Sequence, residues 1–360
     1  MRLSSLDCLR RDLKETDGKI VKLLNERALL SMKIGSDKAR KGLDVFDASQ
    51  EAKLFAYLSK MGEGELPEKY LKAIFREIIS ASRALQKPVT VAFLGPHATF
   101  SHLAAESYFG KSSGFIPQAS IFHVFDEVEK GKVQWGVVPV ENSLEGSVNL
   151  TLDRLILTPL TIRAEIFLRI SHCLVAPGKR LDRIKRVYSV PQVLAQCQGW
   201  LRANLPRCAL AETESTAAAA RIVREDKDGA AIGSRLAAAT YGLNILSEGI
   251  EDNPSNTTRF LVIGEGASKM TGTDKTSILF GTRHVPGALY HVLGPFVERR
   301  INLTKIESYP LKERLWEYLF FVDFSGHADD PEIRRCMKAV RGKANFLKIL
   351  GSYPRGEGTR

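Results

Sequence analysis

A single proline divides this 360-residue chain into two textures. Before Pro88, within residues 4–87, Leu6, Leu9, Leu13, Ile20, Leu23, Leu24 and Leu30 keep a helical stripe over a stretch much longer than an average helix. After "RKGLDVF" come two more helical patterns, about Ala48–Leu58 and Glu68–Leu85. "QKP" ends the segment, because proline cannot donate to a helix and disfavours the helical conformation at the residue before it. From Val89 short β-rich runs ("TVAFLG", "WGVVPV", "RISHCLVAP", "RVYSV", "AAIGS", "RFLVIG") alternate with helical patterns, which indicates α/β layers. "GEGASKMTGTDK" has the composition of a linker. Beyond it the patterns run β-α-β-β-α-β, the order of a ferredoxin-like split unit. The chain is expected to be multidomain, with segments 1–87 (all-α), 88–268 (α/β) and 269–360 (α+β).

Hydrophobic residues at 44% and charged residues at 26% are globular values. The net charge of +11 is carried by the first and last segments, while the middle one is balanced. No basic stripe is interleaved with aromatic residues, so nucleic acid is not the expected partner, and small acidic substrates suit the same balance. Five cysteines form an odd set without a CxxC pair, which argues for a reducing compartment over a disulfide framework or zinc site. No apolar run approaches a membrane span, and the N-terminus lacks a signal-peptide core. The expected location is cytoplasmic. "AESYFGKS" matches a permissive phosphate-loop pattern but sits at the end of a helical pattern, so nucleotide binding is not expected.

In the helical segment, Arg27 and Lys38 are three turns apart and point within roughly 20° of each other, about 16 Å apart. Asp47 with Glu51, and Ser82 with Gln86, are i,i+4 pairs that each share a face. Arg10 lies about 25 Å from Arg27, so one straight helix cannot bring both to one small ligand, whereas a second, antiparallel copy could. Singly, each of these residues reads as a solvated helix face. Together, in "LRRDLKETDGKIVKLLNERALLSMKIGSDKARKG", "DVFDASQE" and "IISASRALQ", they resemble the AroQ-type chorismate mutase domain. The resemblance implies that Arg27 and a partner chain's Arg10 clamp substrate carboxylates, with help from Ser82. It makes Lys38 and Gln86 donors to the ether oxygen, and Glu51, near Asp47, the holder of the ring hydroxyl. A Claisen rearrangement needs only a compact conformer and donors aimed at developing charge, which suits these residue types. The family usually has Arg where this chain has Gln50.

The stretch "NPSNTTRFLVIG" places amides, hydroxyls and a guanidinium at the mouth of a buried strand. Asn253–Ser255 read as turn chemistry. With "FLGPHATFSHLAA", "GVVPVENSLEGSV", "YSVPQVLAQC", "ESTAAAA" and "GAAIGSRLAAATYGLNIL", the stretch resembles prephenate dehydratase over residues 89–265. That family has two α/β lobes arranged like a periplasmic binding protein. The resemblance makes Thr258 the donor to the departing hydroxyl and Arg259 the anchor of a carboxylate or of its neighbouring network. It puts Glu141, Asn142, Ser143, Ser189 and Gln196 on the facing walls, with Thr99 and Ser101 as first-loop hydroxyls. Two positions depart from the family: Ala98 stands where Gly is preferred, and Val190 where His is usual. His172 reads as a satisfied core residue and Cys197 as a small buried one.

Residues 275–354, through "GALYHVL", "ESYP" and "WEYLFFVDFSGH", resemble an ACT domain of the phenylalanine-sensing type. Gly287 and Ala288 open a helix whose free amides can meet a carboxylate. Leu289 would line the pocket, and Glu307 and Ser308 would approach from a neighbouring subunit. Tyr309 replaces the Arg usual in the family's second motif.

The leading expectation is a two-activity enzyme that takes chorismate through prephenate to phenylpyruvate, with feedback by L-phenylalanine. It would need no metal or other cofactor, bind no nucleic acid or membrane, and form a homodimer or higher homo-oligomer. Two alternatives stand beside it: a dehydratase whose helical segment only dimerises, and a non-catalytic amino-acid sensor.

Overall fold

The computed structural model describes residues 5–42, 46–61, 64–310 and 318–356. Asp44 and Val45 of the second helical motif, and Trp316 and Glu317 of the last motif, lie outside them. The described residues form two compact units, one from within 1–47, 54–89 and 109–114, the other from 48–53, 90–108 and 115–360.

The first helices are α1 (Ser5–Arg40), α2 (Ala48–Met61) and α3 (Glu68–Gln86). α1 runs 36 residues without a break, as its stripe requires, and packs on α3. α3 stops where Pro88 dictates: Lys87 is already extended, with φ −160° and ψ 129°. On α1, Leu9, Leu13 and Leu23 each remain 63% exposed in the single chain.

The second unit contains three sheets. The first combines β1 (Thr90–Leu94), β2 (Gly114–Gln118), β3 (Trp135–Asn142), β4 (Gly146–Ser147), β5 (Thr161–Arg169) and β11 (Thr257–Gly264), in the order β2-β1-β3-β11-β5 with β4 on β3. α4 (Phe100–Phe109), α5 (Ile121–Glu129) and α6 (Asn149–Leu157) connect its strands. The second sheet has the order β10-β6-β9-β7-β8. Its strands are β6 (Cys173–Ala176), β7 (Arg186–Ser189), β8 (Ala209–Glu212), β9 (Gly229–Gly233) and β10 (Asn244–Glu248). Helices α7 (Pro191–Gln196), α8 (Gln198–Asn204), α9 (Thr216–Val223) and α10 (Arg235–Tyr241) accompany them. The chain crosses from the first sheet to the second at residues 170–172 and returns at 249–256.

The run "RISHCLVAP" therefore divides: Arg169 ends β5 and Cys173 begins β6. Unbroken hydrophobicity hides the crossover, because Ile170 and His172 are buried there as fully as the strands beside them.

The third sheet, β13-β14-β12-β15, is antiparallel and carries helices on one face. Its elements are β12 (Asp274–Gly281), α11 (Ala288–Glu298), β13 (Leu303–Pro310), β14 (Tyr318–Ser325), α12 (Pro331–Lys343) and β15 (Phe346–Pro354), in the β-α-β-β-α-β order. Its two faces serve different cores. Ile278, Phe280, Val322 and Phe324 pack with the helices, whereas Leu279, Phe321 and Tyr353 join the core of the first sheet beside Val138 and Leu261. Lys348 of β15 extends the union by donating to the Leu155, Ile156 and Thr158 carbonyls at the end of α6, groups a helix leaves unsatisfied.

Candidate functional site

Strands β3 and β11 end side by side, with Thr258 opposite Asn142 and Arg259 opposite Glu141. A register irregularity between Arg259 and Phe260 resets the pairing just before this end, and such bulges re-aim side chains. Residues paired across a ladder share a face, and neighbours along a strand do not. Thr258 and Asn142 thus face one side, Arg259 and Glu141 the other.

On the Thr258 face the polar groups converge. Asn142 Nδ2 donates to Thr258 Oγ1 (2.9 Å) and to Asn256 Oδ1 (2.8 Å), while Asn142 Oδ1 accepts from the amides of Leu144 and Glu145. Asn256 Nδ2 donates to Gln196 Oε1 at 3.3 Å, and Gln196 Nε2 donates to Glu145 Oε1 at 2.8 Å. Ser143 joins the same lip through Thr257, whose carbonyl accepts from the Ser143 amide and whose amide donates to Ser143 Oγ. Because Thr258 Oγ1 accepts from Asn142, its own proton is directed elsewhere, and among the described residues no acceptor takes it. Thr258 as a residue is 9% exposed.

On the opposite face Arg259 meets the third sheet. Its guanidinium lies 2.9 Å from Glu165, 2.6 Å from Asp323 and 3.9 Å from Glu141, and donates to Tyr353 Oη at 3.0 Å. Burial opposes its charge, but Tyr353, Asp323 and Glu165 together hold its pKa above the ordinary value. Lys275 shares Glu165 at 2.8 Å, and Ser277 bonds both Asp323 and Tyr353. Glu141 pairs with Lys305 of β13 at 2.9 Å. Of the two roles expected for Arg259, its observed partners are those of a network.

Three further expected site residues stand apart from the Thr258 cluster. Ser189 is fully buried and donates to the Ile232 carbonyl, a bond inside the second sheet. Thr99 holds its own turn, donating to the Leu94 and Pro96 carbonyls and accepting from the His102 amide at the start of α4. Ser101 is buried on that helix. Ala98 just before it has φ 67°, the region where glycine is at ease, which is the physical reason for a glycine preference here. Its amide donates to His102 Nδ1 and its carbonyl accepts from Ser234. Val190 precedes α7 and packs against the second sheet's core. Cys197 is fully buried, and burial, with Glu251 and Asp252, pushes its thiol up to about 12.

In the helical unit Arg27 donates to Ser82 Oγ at 2.6 Å, Ser82 donates on to Ile78, and Gln86 Nε2 donates to Ser31 Oγ at 3.2 Å. Burial lowers the Arg27 pKa. α1 and α3 approach closely because Gly35 faces Gln86; a Cβ there would lie 2.6 Å from Gln86 Cγ. Lys38 is half-buried one turn further along α1. Asp47 and Glu51 are half-buried around the start of α2, and Gln50 is exposed. Arg10 stays exposed near Asp7, outside the Arg27 group.

In the third sheet, Gly287 (φ 79°), Ala288 and Leu289 open α11 beside a cavity of about 450 Å³ that Phe320 and Tyr318 also line. Ser308 is paired with Phe320 and shares its face. Glu307 is paired with Phe321 on the other face, where it accepts from Ser147 and meets Lys305 at 3.0 Å. Tyr309 lies on that face too, buried, with its hydroxyl donating to Asp153.

Family models match three consecutive stretches: chorismate mutase type II over residues 9–87, prephenate dehydratase over 91–268 and the ACT domain over 276–342. A bifunctional chorismate mutase/prephenate dehydratase of Aquifex aeolicus is 44% identical over 98% of this chain and 99% of its own length. The chain belongs to the bifunctional chorismate mutase/prephenate dehydratase family. Its fold also matches a prephenate dehydratase of Arthrobacter aurescens solved with L-Phe, at 36% identity and TM-score 0.68, covering 74% of this chain and 90% of that one. GqqA, described as a quorum quenching acylase, aligns at 30% identity and TM-score 0.68 over 74% of this chain and 98% of its own. Fold alone therefore does not fix the chemistry; the side chains do.

Sequence reading overlooked Lys305, Asp323, Tyr353 and Gly35 as members of these groups. For Lys305 a signal existed: alternation along β13 puts Lys305, Glu307 and Tyr309 on one face. For the others none did, since each acts on a residue distant in sequence.

Proposed function

We propose that the Thr258 cluster is where prephenate loses carbon dioxide and water, and that the Arg27–Ser82–Gln86 group forms part of the chorismate site. The chain converts chorismate to prephenate and prephenate to phenylpyruvate. In the second step the carboxylate on the ring leaves as carbon dioxide. Its bonding pair enters the ring, and the ring hydroxyl departs from the far carbon with a proton, as water. Aromatisation supplies the driving force, so the protein needs to hold the diacid and donate to the departing oxygen. Thr258 supplies that hydrogen bond, with its lone pair engaged by Asn142. Gln196, Ser143 and Asn142 flank the substrate. This engagement of Thr258 by Asn142 is the observation that carries the reading.

In the first step Lys38 and Gln86 donate to the breaking ether oxygen, while Arg27 and Ser82 hold a carboxylate. Glu51, near Asp47, holds the ring hydroxyl. Gln50 supplies one charge-assisted bond fewer than the family's usual Arg, worth about 1.5–3 kcal/mol, so the mutase is the slower of its kind. Arg10 is too far from Arg27 to serve the same pocket in one chain, and the exposed leucines of α1 support a second copy lying antiparallel on that helix. The assembly is therefore a homodimer or larger.

L-Phenylalanine binds at Gly287–Leu289 with Ser308 and inhibits the dehydratase; the helix-start amides and apolar cavity suit an amino acid. The protein works in the cytoplasm, in keeping with its unpaired cysteines. Incubating purified protein with chorismate, with and without L-phenylalanine, tests the whole reading. Phenylpyruvate should form and be suppressed by the amino acid. Product from prephenate alone would leave the helical segment a dimerisation module, and binding without turnover would leave a sensor.

A further inference from the structure

Thr258 is the end of a hydrogen-bonded chain that begins in the crossover between the first two sheets. His172 Nε2 lies 3.1 Å from Gln196 Oε1, which also accepts from Asn256 Nδ2 at 3.3 Å. Asn256 Oδ1 accepts from Asn142 Nδ2, the amide that also donates to Thr258 Oγ1. Thr258, Asn142 and Asn256 belong to the first sheet and its lip, and Gln196 to α7 beside the second. His172 stands where one sheet passes into the other.

The crossover fixes the imidazole tightly. His172 is 1% exposed, its amide donates to Glu251 Oε2 at 2.8 Å, and its carbonyl accepts from Ile250 in the returning segment. Phe100 meets the ring edge-on at 5.4 Å. The tautomer follows from the neighbours. Gln196 must present Nε2 to the Glu145 carboxylate and Oε1 to the Asn256 amide, so Oε1 faces His172 and the imidazole proton must be on Nε2. Among the described residues Nδ1 has no partner. Burial keeps the ring neutral by lowering its pKa.

We propose that His172 is a positioning residue for the dehydratase step. Its Nε2–H fixes the Gln196 amide, which orders Asn256 and Asn142 and leaves the Thr258 proton aimed at the departing hydroxyl. The inference rests on the reading of Thr258 as that donor. It goes further by assigning the crossover histidine a part in the same reaction, through bonds that join the two sheets. Without the imidazole donor, Gln196 Oε1 keeps only the longer bond from Asn256, and the amide is held by Glu145 and Asn256 with one fewer restraint.

The test uses the full chain and four variants: His172→Phe, His172→Gln, Thr258→Ala, and His172→Phe with Thr258→Ala. Prephenate turnover is measured beside chorismate turnover, which reports on a separate unit of the same molecule. His172→Phe should lower dehydratase kcat about tenfold, the effect of one lost hydrogen bond, with KM and chorismate turnover within about twofold of wild type. His172→Gln, which restores a donor, should recover most of the loss. On the Thr258→Ala background the His172→Phe loss should largely vanish, since the chain then has nothing to aim. Wild-type kcat in His172→Phe, equal losses in the Phe and Gln variants, or a fully additive double variant would each overturn the inference. Wild-type turnover by Thr258→Ala, in which His172 is intact, would instead remove the underlying reading of the site and the inference with it.

Discussion

Lys305 Nζ lies 2.9 Å from Glu141 and 3.0 Å from Glu307, so one ammonium joins the strand that carries Ser308 to the strand that carries Asn142. Glu141 directly precedes the asparagine that engages Thr258, and Glu307 directly precedes the serine on the cavity side of β13. A shift of β13 on effector binding would reach Glu141 through a single side chain. Lys305→Met should therefore leave basal prephenate turnover within about threefold of wild type. It should raise the half-inhibitory phenylalanine concentration about tenfold, within the usual range of coupling energies. Calorimetry should still detect phenylalanine binding. An inhibition curve unchanged from wild type would show that the bridge carries no coupling.

The Arg259 network makes a different prediction, about stability. Arg259, Glu165 and Asp323 are all buried, and removing one partner leaves charge uncompensated, which typically costs about 3–5 kcal/mol. Asp323→Asn should lower unfolding free energy in urea toward that range. A loss below about 1 kcal/mol, the value of an exposed pair, would contradict the burial argument.

Much of this was open to sequence reading, and the rest was closed for identifiable reasons. Pro88 announced the end of α3, the C-terminal patterns gave their order of strands and helices, and the amides and hydroxyls before Phe260 do gather around Thr258. Facing was harder. Thr258 and Arg259 are adjacent in a motif, and Glu307 and Ser308 in another, yet a strand sends neighbours to opposite faces. Each pair is accordingly divided, with Arg259 and Glu307 in inter-sheet contacts and Thr258 and Ser308 on the opposite faces of their strands. His172 looked like core because it is core; its Gln196 partner becomes visible only when α7 is folded against the crossover. The Arg259 partners Asp323 and Tyr353 come from a different sheet, and no local pattern connects them.

Gly35 is a third testable point. A methyl there would meet Gln86 Cβ and Cγ, the stem of that side chain, so helix α1 or α3 must move. Gly35→Ala should lower chorismate turnover by more than about tenfold, since displacements of an ångström at a donor are costly. Prephenate turnover should be unaffected. Equal mutase activity would show that Gln86 is not needed in its present place.

Acid sensitivity should trace in part to His102. The imidazole accepts from the Ala98 amide and stacks on Phe93 at 4.6 Å, and burial, with His97 nearby, lowers its pKa to about 4. The unfolded chain binds a proton near the ordinary value of about 6.5, so it takes up the proton first as pH falls. Stability is then lost progressively from about pH 6.5 down to about 4, by at most about 3 kcal/mol from this group. Urea unfolding at pH 7 and pH 5 should show the loss in wild type and a smaller one in His102→Asn, which keeps an acceptor without the titration. Parallel losses in both proteins would assign the effect elsewhere.

The central claim is that the Thr258 hydroxyl, oriented by Asn142, donates to the departing oxygen of prephenate. The direct measurement is the prephenate kcat and KM of Thr258→Ala in the full chain, with chorismate turnover as the internal reference. The account predicts a kcat lower by about two orders of magnitude, the scale of a positioned donor, with KM changed severalfold at most and chorismate turnover intact. A kcat equal to that of wild type would contradict it.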